Sequence, residues 1–219
     1  MTFKLQAAVA PGCYIWAAMA DSNGGEHASR RERIRDAALE LFSGQGVSAT
    51  TMRDVAQAAD VSVGLVQHHF GSKDRLIQAI DSHVVTVIGS VMAAPLPVSA
   101  PEAVVELGRR VHLLIAGHLK EVDYFAQMIV TDTAAGAAFF SAMVDIIKVH
   151  WQQMADSNES FADLDLTWAA LNPLMLALGP IILRRHIDRQ LPEPFTTETQ
   201  LTRWETSVNI LLSRGQLRD

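Results

Sequence analysis

The stretch SRRERIRDAALELFSGQGVSATTMRDVAQAADVSVGLVQHHFGSKDRL, residues 29–76, decides the fold. Ile34, Ala37, Ala38, Leu41 and Phe42 recur at helical period and put one apolar stripe on a first helix. That helix is expected to start after Ser29, a good N-cap. Ser43-Gly44-Gln45-Gly46 ends it, because glycine accepts the left-handed conformation of a helix C-terminus. Val47 then folds back onto the core. Thr50 and Thr51 offer the next N-cap, and Met52, Val55, Ala56 and Ala59 repeat the stripe over two turns. Asp60-Val61 turns the chain, and Ser62 caps a third helix on which Val66 and Phe70 face inward. Gly71-Ser72 breaks that helix, and a fourth begins at Lys73. Short helices joined by tight polar turns are the pattern of a helix-turn-helix.

Several residues in this stretch are poor choices for stability alone. Gly64 lies inside a short helix, where glycine costs about 1 kcal/mol against alanine; a backbone that must approach another surface closely explains it. Lys73 lies in a first helical turn, where the helix dipole disfavours cations. A phosphate placed there would meet both the Lys and the free N–H groups. Gln67, His68 and His69 place hydrogen-bonding groups on a surface helix, at the height of base edges in a major groove. Each feature alone also has an ordinary structural reading. Together, at this spacing, they point to double-stranded DNA.

Residues 30–80 resemble the DNA-binding domain of the tetracycline-repressor (TetR) family of bacterial regulators. The resemblance lies in the Arg-rich start of the first helix, in AALELFSGQGVSATTM, in DVAQAADVS and in HFGSKDRL. It implies that Thr50, Thr51 and Ser62 bond phosphates from helix N-termini, with Lys73 doing the same at the fourth helix. It implies that Val63, Gly64, Leu65, Gln67 and His68 lie in or along the major groove, and that His69 is a phosphate contact or a packing residue. Arg30, Arg31 and Arg33 would approach the DNA backbone or a minor groove. Gln67 departs from the family, which most often has a phosphate-contacting Tyr there. Gln still donates a hydrogen bond, with a shorter reach.

Composition bounds the rest. The 219 residues are 49% hydrophobic and 19% charged, with a net charge of −6. Residues 26–80 carry seven Lys and Arg against seven Asp and Glu, whereas residues 81–219 carry ten against sixteen. An acidic body behind a neutral head turns the head toward DNA, and the weak basic charge predicts modest nonspecific affinity. Cys13 is the single cysteine, so no intrachain disulfide can form. The His spacings suggest no metal site, and no nucleophile–base pair or phosphate loop marks an enzyme or a bound cofactor.

Residues 1–28 read as a flexible N-terminal extension. Its apolar run to Ala20 ends on Ala18-Met19-Ala20, which looks like a signal cleavage site, yet Pro11-Gly12 interrupts it. The expectation is that Met19 is the true start, or else that residues 1–18 form a weakly ordered tail. No stretch reaches the roughly 18 unbroken apolar residues of a membrane span, so a cytoplasmic chain with no membrane partner is expected.

Residues 76–219 read as more helices: to about Met92, Glu102–Leu119, Asp123–Thr131, Ala135–Met154, Leu166–Gln190 and Thr196–Ser213. The expected architecture is therefore all-α, with about nine helices. A three-helix DNA-binding head (29–75) precedes a helical effector-binding and dimerisation body (76–219). The segment holding Leu171, Leu174, Leu178 and Ile182 is apolar on nearly all sides and must be covered. With Trp204, Val208 and Leu211 of the last helix it is expected to pair with a second copy, as the family resemblance also implies. By the same resemblance, a small and partly apolar effector lies between the body helices. His112, Phe125, Met128, Phe139, Met143, Trp151, Trp168 and Met175 are the candidates to touch it, and His118, Asp132 and Asp145 could orient a polar group.

Overall fold

The computed structural model describes residues 25–92, 94–97, 99–156 and 163–216. Ten helices follow in order: α1 Gly25–Gln45, α2 Met52–Ala58, α3 Val63–Phe70, α4 Lys73–Met92, α5 Ala100–Gly117, α6 Leu119–Val130, α7 Ala134–Asp156, α8 Leu166–Ile182, α9 Arg184–Ile187 and α10 Glu198–Gln216. The all-α architecture is as the sequence predicts, and no strand occurs among the described residues. The readings of residues 1–24 lie outside the described residues.

Boundaries differ where tertiary contacts override local signals. α1 begins at Gly25, ahead of the Ser29 cap, so it takes in residues expected in the flexible arm. α5 and α6 meet at His118 alone, which closes α5 by donating its N–H to Leu114 O. The expected single helix from 166 to 190 is two. Leu183 N–H closes α8 on Gly179 O, and α9 then starts at Arg184. The Arg184 guanidinium makes a bidentate pair with Asp123 of α6, both contacts at 2.8 Å, and this draws the chain toward α6. That contact spans 61 residues, so no local pattern announces it.

Two apolar cores hold the molecule. The first joins Ile34, Ala38 and Phe42 of α1, Val55 of α2, Val66 of α3 and Leu76, Ile80 and Val84 of α4 to Tyr124, Phe125 and Met128 of α6. The head is thus continuous with the body. Leu39 is also buried, although it falls off the sequence stripe, because α1 packs against α2, α4 and α6. The second core joins α5, α7, α8 and α10 through Val104, Ile147, Trp151, Leu174, Val208 and Leu212. Met143 and Trp204 touch both cores.

Arg110 fixes the α4–α5 connection. It is almost fully buried, and its guanidinium donates to the carbonyls of Met92, Ala94 and Pro95 and to Glu106. These carbonyls belong to the end of α4 and the loop beyond it, and they have no following helical turn to bond. Arg110→Leu removes every one of those donors. It should lower stability by about 3 kcal/mol, since each buried acceptor left unpaired costs roughly 1–3 kcal/mol. Urea unfolding of the variant beside the wild type measures the loss.

Candidate nucleic-acid interface

α2 and α3 are set by their caps. Thr51 Oγ1 accepts Asp54 N–H at 3.2 Å, and the Asp54 carboxylate accepts the Thr51 backbone N–H at 2.8 Å, a reciprocal capping box. Ser62 Oγ accepts Leu65 N–H at 3.2 Å and fixes the start of α3. Between them Asp60 takes φ +52, a left-handed turn that Asp tolerates better than most residues. Gly71 at φ +76 ends α3, and Ser72 Oγ accepts Arg75 N–H at the start of α4. Val66 and Phe70 face the core, as the spacing predicts.

The opposite side of α3 is open. Ser62, Gly64, Gln67 and His68 are exposed, while Val63, Leu65, His69 and Lys73 are half-buried. Val63 and Leu65 also lean on the core, which limits how far they can extend. A Cβ added to Gly64 would meet only Ser62 Oγ, at 3.9 Å. Packing within the chain therefore does not demand glycine at 64.

One phosphate-contact expectation needs correcting. Thr50 is fully buried, donates its hydroxyl to Gly46 O at 2.9 Å and accepts from Gln45 Nε2. It anchors the α1–α2 turn and cannot reach a phosphate. Thr51 is exposed, but its hydroxyl donates to Asp54 Oδ2 at 2.7 Å. Those bonds hold the Asp54 carboxyl below its usual range. A phosphate at α2 would therefore meet a carboxylate, so α3 and α4 offer the better N-termini. Arg30, Arg31 and Arg33 are exposed on α1. The Arg31 guanidinium lies 5.3 Å from the centroid of the Phe70 ring and so ties α1 to the end of α3. Arg53 and Arg75 are also exposed on the head, and the sequence reading did not single them out.

α6 carries the head on the body. Tyr124 stacks on Phe42 at 6.2 Å and donates its hydroxyl to Asp81 of α4 at 2.7 Å. Gln127 Nε2 donates to Ser43 O at 2.6 Å, and Lys120 pairs with Glu40 at 2.7 Å. Burial, followed by the bond to Asp81, pushes the Tyr124 hydroxyl far up. Burial also raises the Asp81 carboxyl. Beside them His83 faces Glu121 at 3.5 Å, and burial, then Arg35, lowers its pKa. None of these partners is visible in the sequence, because each pair joins residues far apart.

The body residues expected at an effector divide into groups. Phe125 and Met128 are buried in the first core, and Phe125 meets Phe139 edge to face at 5.2 Å. Met143 bridges the two cores and Trp151 lies in the second. His112 is held between two carboxylates of α10. Trp168 and Met175 are corrections: they stand 55% and 50% exposed on the outer face of α8. Asp132 and Asp145 are exposed as well. Of the residues expected between copies, Leu174 and Val208 are buried inside this chain, whereas Ile182 and Leu211 are exposed.

The fold and the open face of α3 define a helix-turn-helix that shares its apolar core with the helices that follow. Residues 34–80 match the family described as "Bacterial regulatory proteins, tetR family". The HTH-type transcriptional regulatory protein RaaS of Mycobacterium tuberculosis is 31% identical over 144 residues, 64% of this chain and 59% of that protein. The HTH-type transcriptional repressor KstR2 of Mycolicibacterium smegmatis is 36% identical over 62 residues, 28% of this chain and 30% of that one. The chain thus spans well under two thirds of either relative. Solved structures extend the likeness in fold alone. A TetR transcriptional regulator from Chloroflexus aurantiacus has a TM-score of 0.69 at 18% identity, covering 88% of this chain and 99% of that one. The ketosteroid transcriptional regulator KstR2 of Mycobacterium tuberculosis has a TM-score of 0.67 at 17% identity, covering 87% and 96%. No single helix among the described residues is long and apolar enough to cross a membrane.

Thr51→Ala removes the capping box without touching the α3 face. It should cost about 1 kcal/mol of stability, read as a lower thermal midpoint, and leave the far-UV helical signal of the folded chain unchanged.

Proposed function

We propose that this chain is a transcriptional repressor that binds a palindromic DNA operator as a homodimer and is released by a small, partly apolar effector. The observation that carries the reading is the exposed α3 face: Ser62, Gly64, Gln67 and His68 outward, Val66 and Phe70 inward, with Lys73 at the next helix start. A single recognition helix reads only a few base pairs. Two of them set about 34–36 Å apart read both halves of a palindrome.

The surface for the second copy is the outer side of α8 and α10. Trp168, Met175 and Ile182 are exposed at seven-residue spacing along α8, and Ile210 and Leu211 are exposed on α10. An open groove of about 320 Å³ runs between the two helices, lined by Asn172, Met175, Leu176, Leu211, Leu212 and Gly215. A helix with one apolar face in the chain's own core and another in solvent leaves a surface that association would cover. Met175→Glu combined with Leu211→Glu should make the chain monomeric by sedimentation, because two charges per copy would then be buried in the interface.

The effector region is the seam between the two cores, with Phe125, Met128 and Phe139 on the side of the first, Trp151 on the side of the second and Met143 against both. Methionine adapts to irregular ligands. Proteins of similar fold include a ketosteroid transcriptional regulator, a fatty acid degradation regulator and a γ-butyrolactone receptor, and an amphipathic effector here is in keeping with those. An effector seated against α6 presses on the helix that holds Phe42 of α1 and Asp81 of α4. Release is then a shift in population between dimers that fit the DNA and dimers that do not.

The test is a titration of the purified protein against the DNA upstream of its own gene, at two salt concentrations, with an unrelated duplex alongside. Selective, salt-sensitive binding by two chains per site supports the reading, and equal binding to both duplexes opposes it. Lys73→Ala should weaken binding to all sequences alike and reduce the salt slope by about one unit. Gln67→Ala should change which base is preferred. If it weakens every sequence equally, Gln67 contacts phosphate only.

A further inference from the structure

His112 is 9% exposed on α5 and lies between two carboxylates of α10. Its Nδ1 is 2.7 Å from Glu205 Oε2 and its Nε2 is 3.2 Å from Glu198 Oε2. A neutral imidazole has one N–H and one lone pair, whereas an imidazolium has two N–H donors. With an acceptor oxygen at each ring nitrogen, the neutral ring would turn a lone pair toward a carboxylate. The geometry is therefore complete only when the ring carries both protons. The two carboxylates lie seven residues apart, two turns on one face of α10, so one ring spans a long stretch of that helix.

We propose that His112 is a proton-operated clamp, fixing α10 to α5 as an imidazolium and loosening it on deprotonation. What this does to the second copy rests on the α8–α10 pairing proposed above, since α10 also carries Ile210 and Leu211. The neighbouring charges agree with the clamp. Glu198 and Glu205 face the ring from α10. On α5 itself, Arg109 and Arg110 are already paired with Glu106, and Arg109 also acts on Glu205. α4 and α6 also pack on α5, and α7 and α8 share the second core with it. None of their described charged groups contributes to the balance on His112. Burial pulls the His112 pKa down, but the hydrogen bonds to Glu205 and Glu198 outweigh it and set the group above its usual 6.5.

The sign follows from that direction. The clamp's contribution is complete below about pH 6.5 and is lost as pH rises through the folded value. His83 shifts the opposite way, so its contribution is lost as pH falls and must be subtracted. The experiment compares thermal unfolding of wild type and His112→Gln from pH 5.5 to 8.5. The wild-type advantage should shrink by about 2–4 °C across that window, and an advantage that does not change with pH overturns the clamp. Glu198 is mostly exposed, so Glu198→Gln should fold. The ¹H–¹⁵N spectrum should then show His112 titrating lower in Glu198→Gln than in wild type. A wild-type His112 that titrates at or below 6.5 also overturns the proposal. Sedimentation at the same pH values separates the two readings. A dimer that weakens with pH in wild type and not in His112→Gln supports the link to assembly, and one that is constant in both removes it. A chain that is monomeric throughout opposes the α8–α10 pairing and leaves the unfolding result to decide the clamp.

Discussion

Tyr124 is the point on which the rest of the structure depends. Its ring packs on Phe42 of α1 and its hydroxyl bonds Asp81 of α4, so one side chain of α6 holds both helices that flank the helix-turn-helix. A buried hydroxyl without a partner would be costly, and so would a buried Asp81 carboxyl. Each satisfies the other. Gln127 and Lys120 add two more contacts along α6, to Ser43 and Glu40. The head is therefore oriented by the body, and a movement of α6 reaches α1 and α4 directly. A ligand that acts through such packed elements must favour one arrangement of them over another.

The head reads from its amino acids almost completely. Caps at Thr51 and Ser62, breaks at Gly46 and Gly71 and the inward pair Val66 and Phe70 are local signals, and the structure has them where the sequence puts them. Local chemistry determines such features because each involves residues within about four positions. Thr50 shows the limit. A Thr beside an N-cap looks like a phosphate contact, but burial in the α1–α2 turn is a tertiary fact, and its hydroxyl is spent on Gly46 O.

The body reads less well, for a reason of the same kind. Apolar periodicity predicts helices but does not say which stripe faces the chain's own core and which faces a second copy. Trp168 and Met175 look like pocket residues by type, yet they stand outward, while Leu174 and Val208 look like interface residues and lie inside. His112 has no local signal at all, because Glu198 and Glu205 are 86 and 93 residues away. Arg110 and Arg184 are likewise defined by distant carbonyls and a distant carboxylate.

The proposed pairing of two outward α3 faces on DNA is open to direct test. Binding-site selection from a pool of random duplexes tests it most directly. Two paired α3 faces should enrich an inverted repeat whose halves are centred about one helical turn, 10–10.5 base pairs, or a multiple of it apart. A pool that gains no sequence after repeated rounds, or one that yields a single unrepeated half-site, would contradict it.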